Sequence, residues 1–377
     1  MKKPSFLLSL MKCLQRGVLY LGVCFLWTAA LSSLQAANAA ANSPDTEKAL
    51  HEIKSFLVTK VGSMDVAAHD FVKNADTYQQ IIDGYKGDYN RAAIEKGPEL
   101  LHLIAKMQSD YHGYHNNGYE TIEGITAGSK NFVEFDNYLD AGVPKADAST
   151  DSPYSTLILK TKSGHIISDR NGNLFHYVNE PTLWGTKPQF VVKLSPEAAS
   201  KLGIKELPKA DVLTAAAQET AHKIGELYAK AKVWQPTLDE CVGALVWMTP
   251  TLNGYFDDWR DSRYDPAAAA GRYVAESRVV DMRGIMSSLQ IVCNSILPEL
   301  RKKNPALADQ LKYEYQSIMN FIARVDSRDK ASGGKMSISE IEEMAYQAKA
   351  LTDQIAPHLK QMVAILGLKL PRKPTLA

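Results

Sequence analysis

The signatures of the commoner enzyme classes are missing from this sequence. It contains no His-Glu-x-x-His, no Cys-x-x-Cys, no Gly-x-Ser-x-Gly and no phosphate-cradling glycine loop, so those zinc-peptidase, thiol-redox, serine-hydrolase and nucleotide-binding readings drop out. Cysteine is scarce as well, four in 377 residues, and only Cys241 and Cys293 lie beyond the first 24. Charge of one sign is not in excess: 43 basic residues face 42 acidic ones, a formal net charge of +1. No Lys/Arg stripe dominates, which argues against nucleic-acid binding. Past residue 31 no apolar run is long enough to span a bilayer.

The N-terminus is organised differently from the rest. Lys2, Lys3, Lys12 and Arg16 precede the apolar run Gly17–Leu31, and Ala37-Asn38-Ala39 follows it. This is the layout of a secretory signal peptide, with cleavage expected after Ala39. Gly22-Val23 before Cys24 is a poor lipoprotein site. Removing four leader cations and no acid takes the net charge from +1 to about −3. The mature chain is therefore expected to be soluble and periplasmic, without a transmembrane segment. In that oxidising compartment Cys241 and Cys293 can either pair or remain as buried thiols, since both lie in apolar helical contexts.

Helical periodicity fills most of what remains. From Pro44 to Gly84 apolar residues recur every three or four positions, including Leu50, Ile53, Leu57, Val61, Val66, Phe71, Tyr78 and Ile82. A further helix from about Tyr85 is interrupted at Gly97-Pro98, and the segment Gly118–Ile125 lies on the next. Its start is open: Asn116-Asn117-Gly118 could cap it and leave His112 and His115 on a loop. Long helices follow at about 209–232, 237–259 with Pro250 inside, 271–297, 305–325 and 337–366, with Asn304-Pro305 and Ser337 to Glu340 as start signals. Between them the segment 154–194 changes character. Runs of β-branched and aromatic residues, such as Thr156–Thr161, His165–Ser168, Leu174–Val178 and Gln189–Lys193, alternate with Ser-Gly and Asn-Gly turns and read as hairpins. The expected fold is mainly α, a two-lobed helical bundle with a small β-hairpin insertion: signal peptide 1–39, N-terminal lobe 40–144, β-rich insertion 145–195, C-terminal lobe 196–377.

Chemistry concentrates in Tyr111-His112-Gly113-Tyr114-His115 and Gly118-Tyr119-Glu120-Thr121-Ile122-Glu123. Glu120 and Glu123, three apart, share one helical face and can grip one cation. Oxygen donors suit hard cations, and His112 or His115 would extend the range to iron, zinc or copper. A helical acidic pair is also a common solvated face. A second group, Trp247, Tyr255, Phe256, Trp259 and Arg260 with Asp257, Asp258 and Asp261, reads as packing with polar caps, or as a cleft wall.

Several of these stretches resemble the imelysin-like family of exported helical proteins, which includes the periplasmic EfeO-type iron-uptake component. Gly118–Glu123 is similar to its Gly-x-His-x-x-Glu signature, with Glu120 where the family has His. Tyr89–Glu95 resembles its helix ending in Arg-Ile-Glu-Pro, with Glu95 at the acid. Gly271-Arg272-Tyr273 followed by Asp281 resembles its Arg-Tyr-Ser-His segment, with Ala275 or Glu276 in the place of the His. The stretch from Ile296 to Ala308 and the closing helices resemble the family's last third. The resemblance implies a cleft metal site with Glu95, Glu120, Glu123, Glu276 and Asp281, to which the nearby His115 and His112 could restore imidazole donors. It also implies iron as the ion, with zinc or another divalent cation as the alternative, and a membrane iron permease or other envelope protein as partner. A carboxylate at 120 moves the preference toward harder cations. Imelysin-type metallopeptidase activity and a cell-envelope ligand-binding module with a degenerate metal site are the alternatives.

Overall fold

In the computed structural model, residues 42–142, 156–264 and 278–373 are described. The signal-peptide reading, residues 143–155 of the expected β-rich insertion and its approach, Gly271-Arg272-Tyr273 and Glu276 fall outside them. The fold is mainly α, a helical bundle with a small hairpin. Helix α1 runs unbroken from Pro44 to Gly84. Its buried stripe is Ile53, Leu57, Val61, Met64, Ala68, Phe71, Ala75, Tyr78 and Ile82, the spacing that keeps one helical face inward. Val66, expected on that stripe, is 64 % exposed, and Met64 and Ala68 take its place. Asp88 caps α2 (Tyr89–Tyr114) by accepting the Arg91 N–H. The helix is kinked at Lys96, φ −124° and ψ 15°, two residues before Pro98.

The chain after α2 does not open into a loop. His115–Tyr119 is a π-helical turn that leads directly into α3 (Glu120–Thr126). A short α4 (Val133–Asp136) runs into a second π turn, Asn137–Ala141. Strands β1 (Leu157–Lys160) and β2 (Ile166–Asp169) then form an antiparallel hairpin, Leu157 opposite Asp169, closed at Gly164 with φ +86°. Ser163-Gly164 is therefore the turn that its composition anticipates.

The β-rich expectation is corrected just beyond that hairpin. Leu174–Val178 is not a strand: Phe175–Asn179 is a third π turn and continues into α5 (Glu180–Trp184). The Asn173 side chain accepts the His176 N–H and starts this helical piece, and Pro181 sits in its first turn. A local cap and a proline thus outweigh the β propensity of Phe, Tyr and Val. A second small antiparallel pair, β3 (Val191–Lys193) and β4 (Glu206–Pro208), encloses α6 (Pro196–Leu202).

The remaining helices among the described residues are α7 (Ala210–Val233), α8 (Leu238–Met248), α9 (Leu252–Tyr264), α10 (Arg278–Lys303), α11 (Pro305–Ala331) and α12 (Ile338–Leu366). A short 3-10 turn around Pro250 separates α8 from α9, because proline cannot supply the interior N–H. Ser337 and Glu340 form the capping box of α12, and Asn304 caps α11. Asp45–Ala377 forms one compact unit. Cys241 and Cys293 are both buried and unpaired, and burial pushes both thiols up. No helix among the described residues is long and apolar enough to cross a membrane.

Two glycines fix how α10 meets α3. A Cβ on Gly124 would lie 2.4 Å from Ser288 Oγ and 2.9 Å from Leu289, and one on Gly284 would lie 2.6 Å from the Glu120 carbonyl oxygen. Only residues without a side chain permit that backbone approach. It seals Glu120 and Glu123, 1 % and 3 % exposed, inside the protein.

Candidate metal centre

Each of the three π turns among the described residues contributes one side chain to a single buried cluster. His115 opens the first, Asp140 lies in the second and His176 in the third. Glu120 follows the first turn directly. Ligand atoms of these four residues all lie within 4.8 Å of one another, and the group can hold a metal ion. All four are between 1 % and 6 % exposed.

The π turn explains why His115 and Glu120 meet. In an α-helix residues five apart point to different faces, whereas an i→i+5 turn stacks them. The Glu120 N–H donates back to the His115 carbonyl, and above that bond His115 Nε2 lies 2.9 Å from Glu120 Oε1. The same nitrogen is 3.2 Å from Asp140 Oδ1, and His176 Nε2 reaches that oxygen at 3.0 Å.

The outer nitrogens are committed. His115 Nδ1 donates to Asn116 Oδ1 at 2.8 Å, and His176 Nδ1 to Glu180 Oε2 at 2.9 Å. Fixing the proton on Nδ1 leaves Nε2 as the lone-pair side of the neutral ring, the usual state of a metal-binding histidine backed by a carboxylate or amide. Both lone pairs then face carboxylate oxygens. Such an arrangement calls for a proton or a cation between them.

In the absence of a cation, protons fill the role. Burial pulls the two imidazoles down, but the hydrogen bonds and charge of Asp140 more than reverse this and raise both to about 9. Asp281 also raises His115, and Glu180 raises His176. Burial would lift Asp140, yet the two histidines hold it far below the ordinary carboxylate range. Burial drives Glu120 and Glu123 well up, reinforced by Asp281 and Asp140 at Glu120 and by Glu120 and Asp140 at Glu123. Asp136, whose Oδ1 accepts from Tyr119 Oη at 2.8 Å, is raised to about 8 by burial and by Asp140.

Aromatic rings wall the cluster. Tyr111 stacks on His115 with centroids 4.8 Å apart, and Phe175 meets the same ring edge-on at 5.3 Å. Asn179 donates to Tyr114 Oη and to Thr220 Oγ1, tying the third π turn to α2 and α7.

The residues expected at the site divide clearly. His115 and Glu120 are ligand candidates; Glu123 and Asp281 are buried beside them, each acting on Glu120 or acted on by it. His112 is turned away, stacked on Trp184 with centroids 5.7 Å apart. Glu95 is a surface residue, held by Arg91 Nε at 2.8 Å and Tyr85 Oη at 3.1 Å. Of the aromatic group around Trp259, Phe256 packs on Phe321 in the core, while Tyr255 Oη donates to Glu123 Oε1 at 2.7 Å.

Asp140 and His176 have no counterpart in the sequence reading. The available signal was His176 and Glu180 four apart behind Asn173, an i,i+4 pair with a cap. It lay hidden in a stretch rich in strand-forming residues. No protein-family model matches this chain, and no curated protein matches it.

Proposed function

We propose that this is an exported metal-binding protein that takes iron into the centre formed by His115, Glu120, Asp140 and His176. One observation carries the reading: two imidazole Nε2 atoms, each with Nδ1 already engaged, converge with two carboxylate oxygens in a buried site. A mixed nitrogen and oxygen donor set suits iron, zinc, manganese or cobalt better than calcium or magnesium. The high carboxylate content and the resemblance to imelysin-like proteins favour iron. In this reading the imidazole lost at position 120 is supplied by His115, five residues upstream, and by His176.

Binding and handling of the ion accord with the closed site better than peptide cleavage does. A metallopeptidase must bring a substrate carbonyl and a water to an open metal position, and these four ligands are almost fully enclosed. Export through a cleaved leader and delivery to a membrane permease belong to the same proposal.

Titration of ferrous, ferric and zinc ions into the purified chain tests it, with elemental analysis of protein taken from its own cells to identify the resident ion. Binding is expected with His115→Ala and His176→Ala each abolishing it. An ion that binds equally well to both variants would overturn the assignment.

A further inference from the structure

Two oxygens beside the His115, Glu120, Asp140 and His176 cluster are unaccounted for by a single ion. Glu120 Oε1 faces His115, but Glu120 Oε2 is buried without a hydrogen-bond partner. One helical turn on, Glu123 Oε1 accepts from Tyr255 Oη while Glu123 Oε2 is also buried without a partner. The two carboxyl groups lie within hydrogen-bonding reach of each other. Asp281, 3 % exposed, lies on α10 one turn before the Gly284 that presses on Glu120, and its charge acts on Glu120.

We propose that the centre takes two cations, the second held between Glu120 and Glu123, with Glu120 bridging both positions and Asp281 and Tyr255 at its margin. The proposal rests on the metal-binding reading above. A buried carboxylate oxygen with no donor is costly unless something positive lies against it, and Glu120 and Glu123, one turn apart, each carry one here. The first cation is matched by Glu120 and Asp140. Glu123, with an unpartnered oxygen of its own, remains for a second.

The two positions differ in chemistry. The first has two imidazole nitrogens and accepts borderline ions such as zinc or ferrous iron; the second has oxygen donors alone and selects harder ones such as manganese or iron. A carboxylate shared by two adjacent ions is the usual bridge of two-metal sites. The alternative occupant of the Glu120–Glu123 gap is one shared proton.

Manganese(II) titration of the full chain distinguishes these. The expected result is two equivalents per chain at saturation, with an exchange-coupled electron paramagnetic resonance signal. Glu123→Gln is expected to retain one equivalent and lose the coupling. One equivalent in the unmodified protein would overturn the second position and leave the first intact, with no reliance on how the variant folds. Two uncoupled equivalents, or a second equivalent that persists in Glu123→Gln, would overturn it as well. Binding of none would remove both the second position and the metal-binding reading.

Discussion

His115 and His176 meet edge to face, ring centroids 4.8 Å apart at 88°, and both direct Nε2 at the same oxygen of Asp140. The relation joins residues 61 positions apart in the chain, one from each side of the hairpin. Its stability without a cation depends on protons, and this makes the centre sensitive to pH.

The sign of that dependence follows from the shifts. His115 and His176 are raised from 6.5 to about 9, so their contribution is complete below pH 6.5 and is lost as pH rises through 9. Glu120, Glu123 and Asp136 are also raised, so they too bind protons more tightly when folded, and their effect runs the same way. Asp140, held low, contributes throughout this range and loses its contribution only in strong acid. The metal-free protein is therefore expected to lose thermal stability between pH 6.5 and 9, and the metal-loaded protein to lose much less, as read from Tm by calorimetry. A flat profile for the metal-free form would contradict the protonated cluster.

Glu180 holds His176 Nδ1 at 2.9 Å, on the side of the ring away from Asp140. Outer partners of this kind typically contribute 10–100-fold to metal affinity by fixing the ring and its tautomer. Glu180→Gln is expected to weaken binding by about that factor with stoichiometry unchanged, in a competition titration against a chromophoric chelator.

Gly284 is constrained by backbone, not by a flexible side chain. A methyl group there would meet the Glu120 carbonyl oxygen at 2.6 Å and its carbonyl carbon at 2.7 Å. Gly284→Ala is expected to cost roughly 1–3 kcal/mol, the range for an overpacked interior, despite alanine's better helix propensity. Denaturant unfolding measures the loss, and metal affinity should fall with it because Glu120 is displaced.

Glu95 provides the opposite expectation. It is exposed and occupied with Arg91 and Tyr85, so Glu95→Ala should leave metal affinity and stoichiometry unchanged. Loss of binding in that variant would require a site different from the buried cluster.

Much of the fold was legible because helical periodicity and capping are local. The α1 stripe, the Asn304 and Ser337 starts and the Ser163-Gly164 turn each depend on residues within one or two turns of one another, whereas the single helix expected over 237–259 is broken by a 3-10 turn at Pro250. The centre was legible only in part, at His115 and Glu120 with Glu123 and Asp281 beside them. Asp140 directly precedes a linker of low sequence information, and His176 sits among Phe, Tyr and Val, whose average preference is for strands. Glu95 misled because an acid at the right motif position carries no information about burial. Most of all, a change from i→i+4 to i→i+5 bonding leaves no composition of its own, yet it determines which side chains face inward.

The three π turns also bear on how this chain is to be matched with others. Each accommodates one residue more than a straight helix of equal length would hold. A relative with uninterrupted helices would therefore superpose in sequence only if single-residue gaps opened within 115–119, 137–141 and 175–179. An ungapped comparison across the first of these shifts every later position by one, so residues of the same role are set beside the wrong neighbours. Deleting one residue from such a turn is expected to relax the backbone toward an ordinary helix and rotate His115, Asp140 or His176 out of the centre, so the backbone irregularity is itself part of the site.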